Sequence, residues 1–246
     1  MTAKRATKAT DLDDESVPAW QQQSVDRSLR AARARAHERS DRFVAAATDL
    51  MREQGTTDFT VQDVVERSGM SIRTFYKYFA SKEDLLLAVS ETVVAREAVP
   101  RLEELVAKHK APLRRLRAFI EGLVGLSTGT TKPVARTLAS YQNRLAESRP
   151  DDLELAMKPQ FDLLTELVRD AAAVQPLRRG LTPPAAARLT HYLVRTAVHS
   201  RLFGAAGAAD LPAQTIWQYC AAGMGFDTEN AKKTVPRSRR PSTKTD

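Results

Sequence analysis

The spacing of Thr60, Gly69 and Ser71 in TVQDVVERSGMSIRTFYKYF, residues 60–79, constrains this chain more than any other feature. Thr60 precedes the periodic apolar residues Val61, Val64 and Val65, and Asp63 stands three positions on. That is a helix start with an acidic partner for the capping backbone, close to a capping box. Gly69 ends the first helix, where a left-handed residue costs least. Met70 is expected in the turn, and Ser71 caps the next helix. About three residues remain between the two helices, which is helix-turn-helix spacing. Such a unit fixes two short helices at an angle and presents one face of the second.

The face is legible by angle, at about 100° per residue. With Phe75 at zero, Phe79 falls near 40° and Ile72 near 60°, so these three define the inward stripe. Arg73, Thr74 and Lys77 fall between about 160° and 260°, outward, with Tyr76 and Tyr78 on either side. Guanidinium, ammonium and hydroxyl donors on one open face suit base edges and phosphates. The backbone N–H groups at Ser71 suit a phosphate as well. Ser81 caps a further helix with Glu83 and Asp84 in its first turn, which matches the helix dipole. Lys82 at the same start opposes the dipole, so it is expected to face an external anion. Each residue alone reads more readily as surface charge or small core; together they favour nucleic-acid recognition. Upstream, Phe43, Ala46, Ala47, Leu50 and Met51 form the stripe of a helix that closes a three-helix head.

From Arg39 to Val89 these residues resemble the DNA-binding head of the TetR family of bacterial transcriptional regulators. The resemblance rests on LMREQG, TTDFTVQDV, SGMS, RTFYKYF and SKEDLL in the family's order and spacing. Val65 and Ser68 stand where the family often has alanine. The resemblance implies that Thr60, Tyr76 and Lys82 grip phosphates while Arg73, Thr74 and Lys77 approach the major groove. The family also uses the position of Ile72 against bases, whereas the angular reading turns it inward.

Elsewhere Ala, Leu, Arg and Glu dominate with apolar spacings of three, four and seven, and no strand alternation or hairpin signal is sustained. The fold class is all-α. Helices are expected near 40–54, 61–67, 72–79, 82–98, 101–110, 113–127, 133–147, 151–174, 183–203 and 213–223. Breaks are expected at Gly55, Gly69, Pro100, Pro112, Pro133, Pro150, Pro176 and Pro183–Pro184, and a kink at Pro159. The net charge of +8 is local. Residues 1–82 carry 14 Lys/Arg against 12 Asp/Glu, residues 83–227 carry 18 against 16, and the last stretch carries 6 against 2. Both ends read as polar and unstructured. The first residues lack the apolar run of a secretory leader, no stretch is long and apolar enough to span a membrane, and the lone Cys220 reads as a buried small side chain, so a cytoplasmic protein is expected.

The segment RSLRAARARAHERSDR holds Arg33, Arg35, Arg39 and Arg42, candidates for an arm that crosses phosphates or enters a narrow minor groove. A solvated helical extension accounts for them equally well. The organisation expected is a largely disordered Arg-rich extension over 1–38, a DNA-binding head over 39–86, a ligand-binding and dimerisation body over 87–227, and a disordered basic tail over 228–246. The body shows no catalytic constellation. His191 and His199 lie about 12 Å apart along one helix, too far to share a metal directly. No metal, cofactor or enzymatic activity is expected. By resemblance, the last two helices form a two-fold homodimer interface suited to a near-palindromic operator on double-stranded DNA, and residues 101–174 hold an inducer pocket. Phe119, Leu123, Tyr141, Phe161 and Leu164 are candidates for its lining, although a plain core explains them equally well. The function expected is a dimeric repressor released by a small hydrophobic or amphipathic ligand. The alternatives are an all-helical enzyme or lipid-binding module, and a DNA-binding architectural protein without a ligand switch.

Overall fold

A computed structural model describes residues 18–126, 132–204 and 211–227, and every described element is helical. Residues 1–17 and the basic tail 228–246 lie outside the described residues. The helices are α1 (Ala19–Gln54), α2 (Val61–Ser68), α3 (Ile72–Tyr78), α4 (Lys82–Val93), a π-helical turn (Val94–Ala98), α5 (Val99–Ala107), α6 (Pro112–Gly125), α7 (Lys132–Ser148), α8 (Pro150–Val174), α9 (Pro183–Phe203) and α10 (Ala213–Met224).

Two boundaries differ from the sequence reading. The extension expected to be largely disordered is helical from Ala19, because its Ala, Gln, Leu and Arg residues are good helix formers and extending an existing helix fixes one residue per added bond. Pro100 does not break the chain's helical path. The turn before it widens to π spacing, with the Val99 N–H donating to the Val94 carbonyl. A wider turn accommodates a ring that ordinary α spacing would drive into the preceding carbonyl.

Residues up to Arg42 form one unit and those from Phe43 another. In the first, residues 20–35 of α1 are exposed, and their contacts are local. Arg30 and Arg35 donate to carbonyls four residues back, and Arg42 pairs with Glu38 at 3.5 Å.

The second unit has two apolar cores. The first joins Phe43, Ala47, Leu50 and Met51 of α1 to Val64 and Val65 of α2, Phe75 and Phe79 around α3, and Leu85, Leu86 and Val89 of α4. It continues without interruption into Leu138, Tyr141 and Leu145 of α7 and Leu153, Ala156 and Met157 of α8. The head and body expected as separate domains therefore share one core. The second core lies among α5, α6, α8, α9 and α10, around Leu116, Phe119, Ile120, Leu164, Leu167, Val194 and Trp217. There Gly122 lets α5 approach closely, since a Cβ at that position would stand 2.7 Å from Leu105 Cδ1 and force that side chain to turn aside.

The apolar residues of α9 and α10 divide between two roles. Ala186, Val194, Ile216, Trp217 and Met224 are buried, whereas Leu189, Tyr192 and Tyr219 are exposed. Cys220 is buried, and burial pushes its thiol up to about 11, so it is a packing residue. Replacing Phe75 by Ala is expected to cost about 3–5 kcal/mol by emptying a fully enclosed aromatic site. Urea unfolding followed by circular dichroism checks this.

Candidate nucleic-acid interface and ligand cavity

The first turn of α2 is locked by a complete capping box. The Thr60 hydroxyl accepts from the Asp63 N–H at 3.1 Å, and the Thr60 N–H donates to Asp63 Oδ2 at 2.6 Å. Donation from the Thr60 N–H, and then from its hydroxyl, holds the Asp63 carboxyl below the usual carboxylate range. Gly69 follows at φ 65°, the left-handed conformation that reverses the chain in so few residues. Ser71 then caps α3, accepting from the Thr74 N–H at 3.1 Å, and its hydroxyl shares a 2.8 Å hydrogen bond with that of Thr74.

The orientation of α3 is set by aromatic rings. Phe43 meets Phe75 edge-on with centroids 5.5 Å apart, and meets Phe79 edge-on at 6.2 Å. With Phe75 and Phe79 buried, Arg73, Tyr76 and Lys77 lie open to solvent, Thr74 is half-buried, and Tyr78 packs partly against the core. Thr60 and Ser71 are also exposed. Ile72 departs from the angular reading, since it is 48% exposed. As the first residue of its helix it leans back over the N-terminus, beyond the elements that cover Phe75.

Lys82 also departs from expectation. Its ammonium donates to the Thr57 and Phe59 carbonyls at 3.0 Å each and lies 5.7 Å from the Phe59 ring centroid. Carbonyls of the loop before α2 supply the negative partner that the sequence reading sought outside the protein.

Several groups in this region carry no local sequence signal. Arg67 of α2 grips Glu53 of α1 with two guanidinium nitrogens, at 2.7 and 2.6 Å. Arg149, just before α8, donates to Asp84 of α4 at 3.0 Å and also pairs with Asp152. Tyr141 donates to the Glu83 carbonyl at 3.0 Å, Arg144 to the Thr57 hydroxyl at 2.8 Å, and Gln142 to the Ser90 hydroxyl at 3.1 Å. Long-range pairs of this kind become visible only once distant helices and loops are packed together.

The five pocket candidates are not brought together. Phe119 and Leu164 are sealed in the second core, and Tyr141 belongs to the first with its hydroxyl committed to Glu83. Leu123 lines a cavity of about 420 Å³ walled by α4, the π-helical turn, α5, α6, α7 and α9. Phe161 lines a different one of about 620 Å³ between α8 and α9. Helical period shows which side chains point inward, but not whether their neighbours fill the space. His191 is buried beside Phe161, and burial, with Arg195 and Arg188 nearby, pushes it down to about 4, so it is neutral at pH 7. His199 hydrogen-bonds to Asn143. Among the described residues no cluster of His, Cys, Asp or Glu is arranged to hold a metal, and no helix is long and apolar enough to cross a membrane.

Residues 43–89 match the profile of bacterial regulatory proteins of the TetR family. Over these residues the chain is similar to that family. The chain is 37% identical over 79 residues to the transcriptional regulator EthR of Mycobacterium tuberculosis, covering 32% of this chain and 37% of that protein. The chain thus spans well under half the length of this curated relative. The similarity of fold reaches further. FadR of Bacillus subtilis in complex with stearoyl-CoA superposes with a TM-score of 0.60 at 16% identity, over 74% of this chain and 97% of that one. RolR in complex with resorcinol superposes with a TM-score of 0.62 at 17% identity, over 83% and 96%.

The Arg149 pair carries a testable pH signature. The Arg149 guanidinium, followed by the Ser81 hydroxyl, holds the Asp84 carboxyl below the usual carboxylate range. Asp84 thus gives up its proton more readily folded than unfolded. The pair stabilises the protein above the ordinary carboxylate pKa, and the contribution is lost as pH falls through the folded-state value. Arg149→Ala is expected to lower stability at neutral pH only slightly, the pair being partly solvated. Urea midpoints measured down a pH series should converge for the two proteins in acid, once Asp84 is protonated.

Proposed function

We propose that the chain is a dimeric, sequence-specific DNA-binding transcriptional regulator acting in the cytoplasm, a repressor released from a near-palindromic operator by a small hydrophobic or amphipathic ligand. The observation that carries this reading is the open face of α3, on which Arg73, Tyr76 and Lys77 stand over a buried Phe75. Arg73 and Lys77 are exposed donors on the second helix of a helix-turn-helix, the element that enters the major groove in this class of domain. Arg73 reads base edges, and Thr74 and Lys77 approach the same groove. Ile72, exposed beside them, offers an apolar contact for a thymine methyl. Thr60, Ser71, Tyr76 and Tyr78 contribute contacts to the sugar-phosphate backbone. Lys82 keeps one N–H beyond its two carbonyl bonds for a phosphate, while its main task is to hold the loop before α2. Arg33, Arg35, Arg39 and Arg42 add sequence-independent phosphate contacts.

Exposed Leu189 and Tyr192 on α9 and Tyr219 on α10 supply the apolar surface of the homodimer. A two-fold pair of heads then reads two half-sites. The ligand occupies the cavity beside the π-helical turn, whose wall includes Val93, Val94 and Glu97. The same helical path begins at Lys82, so ligand binding selects a position of α4 in which the two heads no longer fit successive grooves. Support for a small-molecule ligand comes from neighbours of the same fold that hold stearoyl-CoA and resorcinol.

Selection of bound DNA from a random pool tests the reading directly, and recovery of no preferred sequence overturns it. On the selected site, Arg73→Ala is expected to cost about 1–3 kcal/mol and to relax preference at one base position. Replacing Arg33, Arg35, Arg39 and Arg42 together by Gln should weaken binding to all DNA and flatten the dependence of log K on log salt. Titrations at several salt concentrations measure both effects.

A further inference from the structure

The cavity beside the π-helical turn has a marked imbalance of charge. Its wall is largely apolar, with Val94, Leu123, Leu126, Leu138, Val198 and Leu202 contributing side chains. Its charged groups are Arg52, Arg101 and Arg195 against Glu97, three cations to one anion. Arg52 is already engaged with Asp49 at 2.7 Å. The neutral polar residues of the wall are engaged too, since Gln142 donates to Ser90 and Asn143 is bonded to His199. Among the described residues Arg101 and Arg195 make no hydrogen bond or ion pair.

Arg195 is the telling one. It is half-buried on α9, it also borders the second cavity, and the titratable group nearest to its influence is His191, which it helps keep neutral. A partly desolvated guanidinium without a counter-charge is unfavourable, and an anion brought to it recovers the lost interaction. Guanidinium groups match a carboxylate by paired N–H donation, and the bond is strengthened by charge. The remaining wall offers hydrocarbon contact and no further free donors of that strength. A volume of about 420 Å³ lies towards the small end of the usual range for small-molecule sites, roughly 300–1,000 Å³, and suits a compact ligand.

We propose that this cavity binds a monocarboxylic acid with a compact apolar body, its carboxylate answered by Arg101 on α5 and Arg195 on α9 and its hydrocarbon part lying against Leu123, Leu138 and Leu202. The proposal rests on the ligand-responsive reading above and names the chemical class of the ligand. Glu97, on the π-helical turn, lies in the same wall and disfavours dianions and anionic groups displaced towards α4. The class is therefore a singly charged acid, aliphatic or aromatic.

Calorimetric titration of the full-length protein, without DNA, tests this with decanoate and phenylbutyrate as the acids, methyl decanoate and decylamine as uncharged and cationic counterparts, and decyl phosphate as a second anion. At least one acid is expected to bind, with methyl decanoate and decylamine weaker by about tenfold or more, a difference of about 1.4 kcal/mol. Arg101→Met and Arg195→Met should each weaken the acid by a similar factor and leave methyl decanoate unchanged. The acid-to-ester comparison on the unsubstituted protein stands even if a variant fails to fold. Equal binding of ester and acid, preference for decylamine or decyl phosphate, unchanged acid affinity in both folded variants, or no binding by either acid overturns the proposal. Mobility of the selected DNA in the presence of the bound acid separates the two readings. Acid binding without DNA release upholds the site and overturns the ligand-responsive repressor.

Discussion

The edge-on packing of Phe43 against Phe75 and Phe79 is the contact on which the rest depends. A seven-residue helix such as α3 has too few internal hydrogen bonds to persist alone, so its existence and its rotation both come from what it buries. Two phenylalanines separated by one helical turn lie on the same side, and the ring of Phe43 meets both. Once that side is enclosed, Arg73, Tyr76 and Lys77 have nowhere to point except outward. The basic face is thus a consequence of aromatic burial rather than of any attraction among its own residues.

A second constraint joins this face to the body. The first apolar core runs from α1 through α4 into α7 and α8 without a solvent gap, and polar contacts reinforce the same seam. Asp84 with Arg149, the Glu83 carbonyl with Tyr141, and Ser90 with Gln142 all attach α4 to the body. Lys82 and Arg144 both seize Thr57, one by its carbonyl and the other by its hydroxyl, so the loop before α2 is held from two sides. At the far end of the same helical path the π-helical turn forms part of a cavity wall. A close-packed seam transmits small displacements instead of absorbing them, because interiors of this density have little free volume. The helical path that begins with α4 thus touches both the loop before α2 and the cavity wall.

Much of the head was legible before any coordinates. Thr60 with Asp63, Gly69, and Ser71 are local devices whose meaning depends on neighbours within three or four positions, and each performs the role its spacing implied. The errors share a physical origin. Ile72 obeys helical period but sits at a helix end, where nothing covers the inward side. Lys82 opposes its own helix dipole for a reason found in a loop more than twenty residues upstream. Pro100 reads as a break, yet a π-helical turn carries the chain past it. The five pocket candidates share an inward orientation, and the structure distributes them among two cores and two cavities.

The sequence by itself determined the helical class, the caps and turn of the head, and the cationic outer face of α3, because these follow from hydrogen bonds and periodicities spanning a few residues. The tertiary structure alone decided that head and body share a core, that Arg149 and Tyr141 clamp α4 while Arg144 holds the loop before α2, and that Arg101 and Arg195 line one largely apolar cavity. Those facts depend on which distant surfaces touch and how completely they fill the space between them. No local pattern in the chain encodes that outcome.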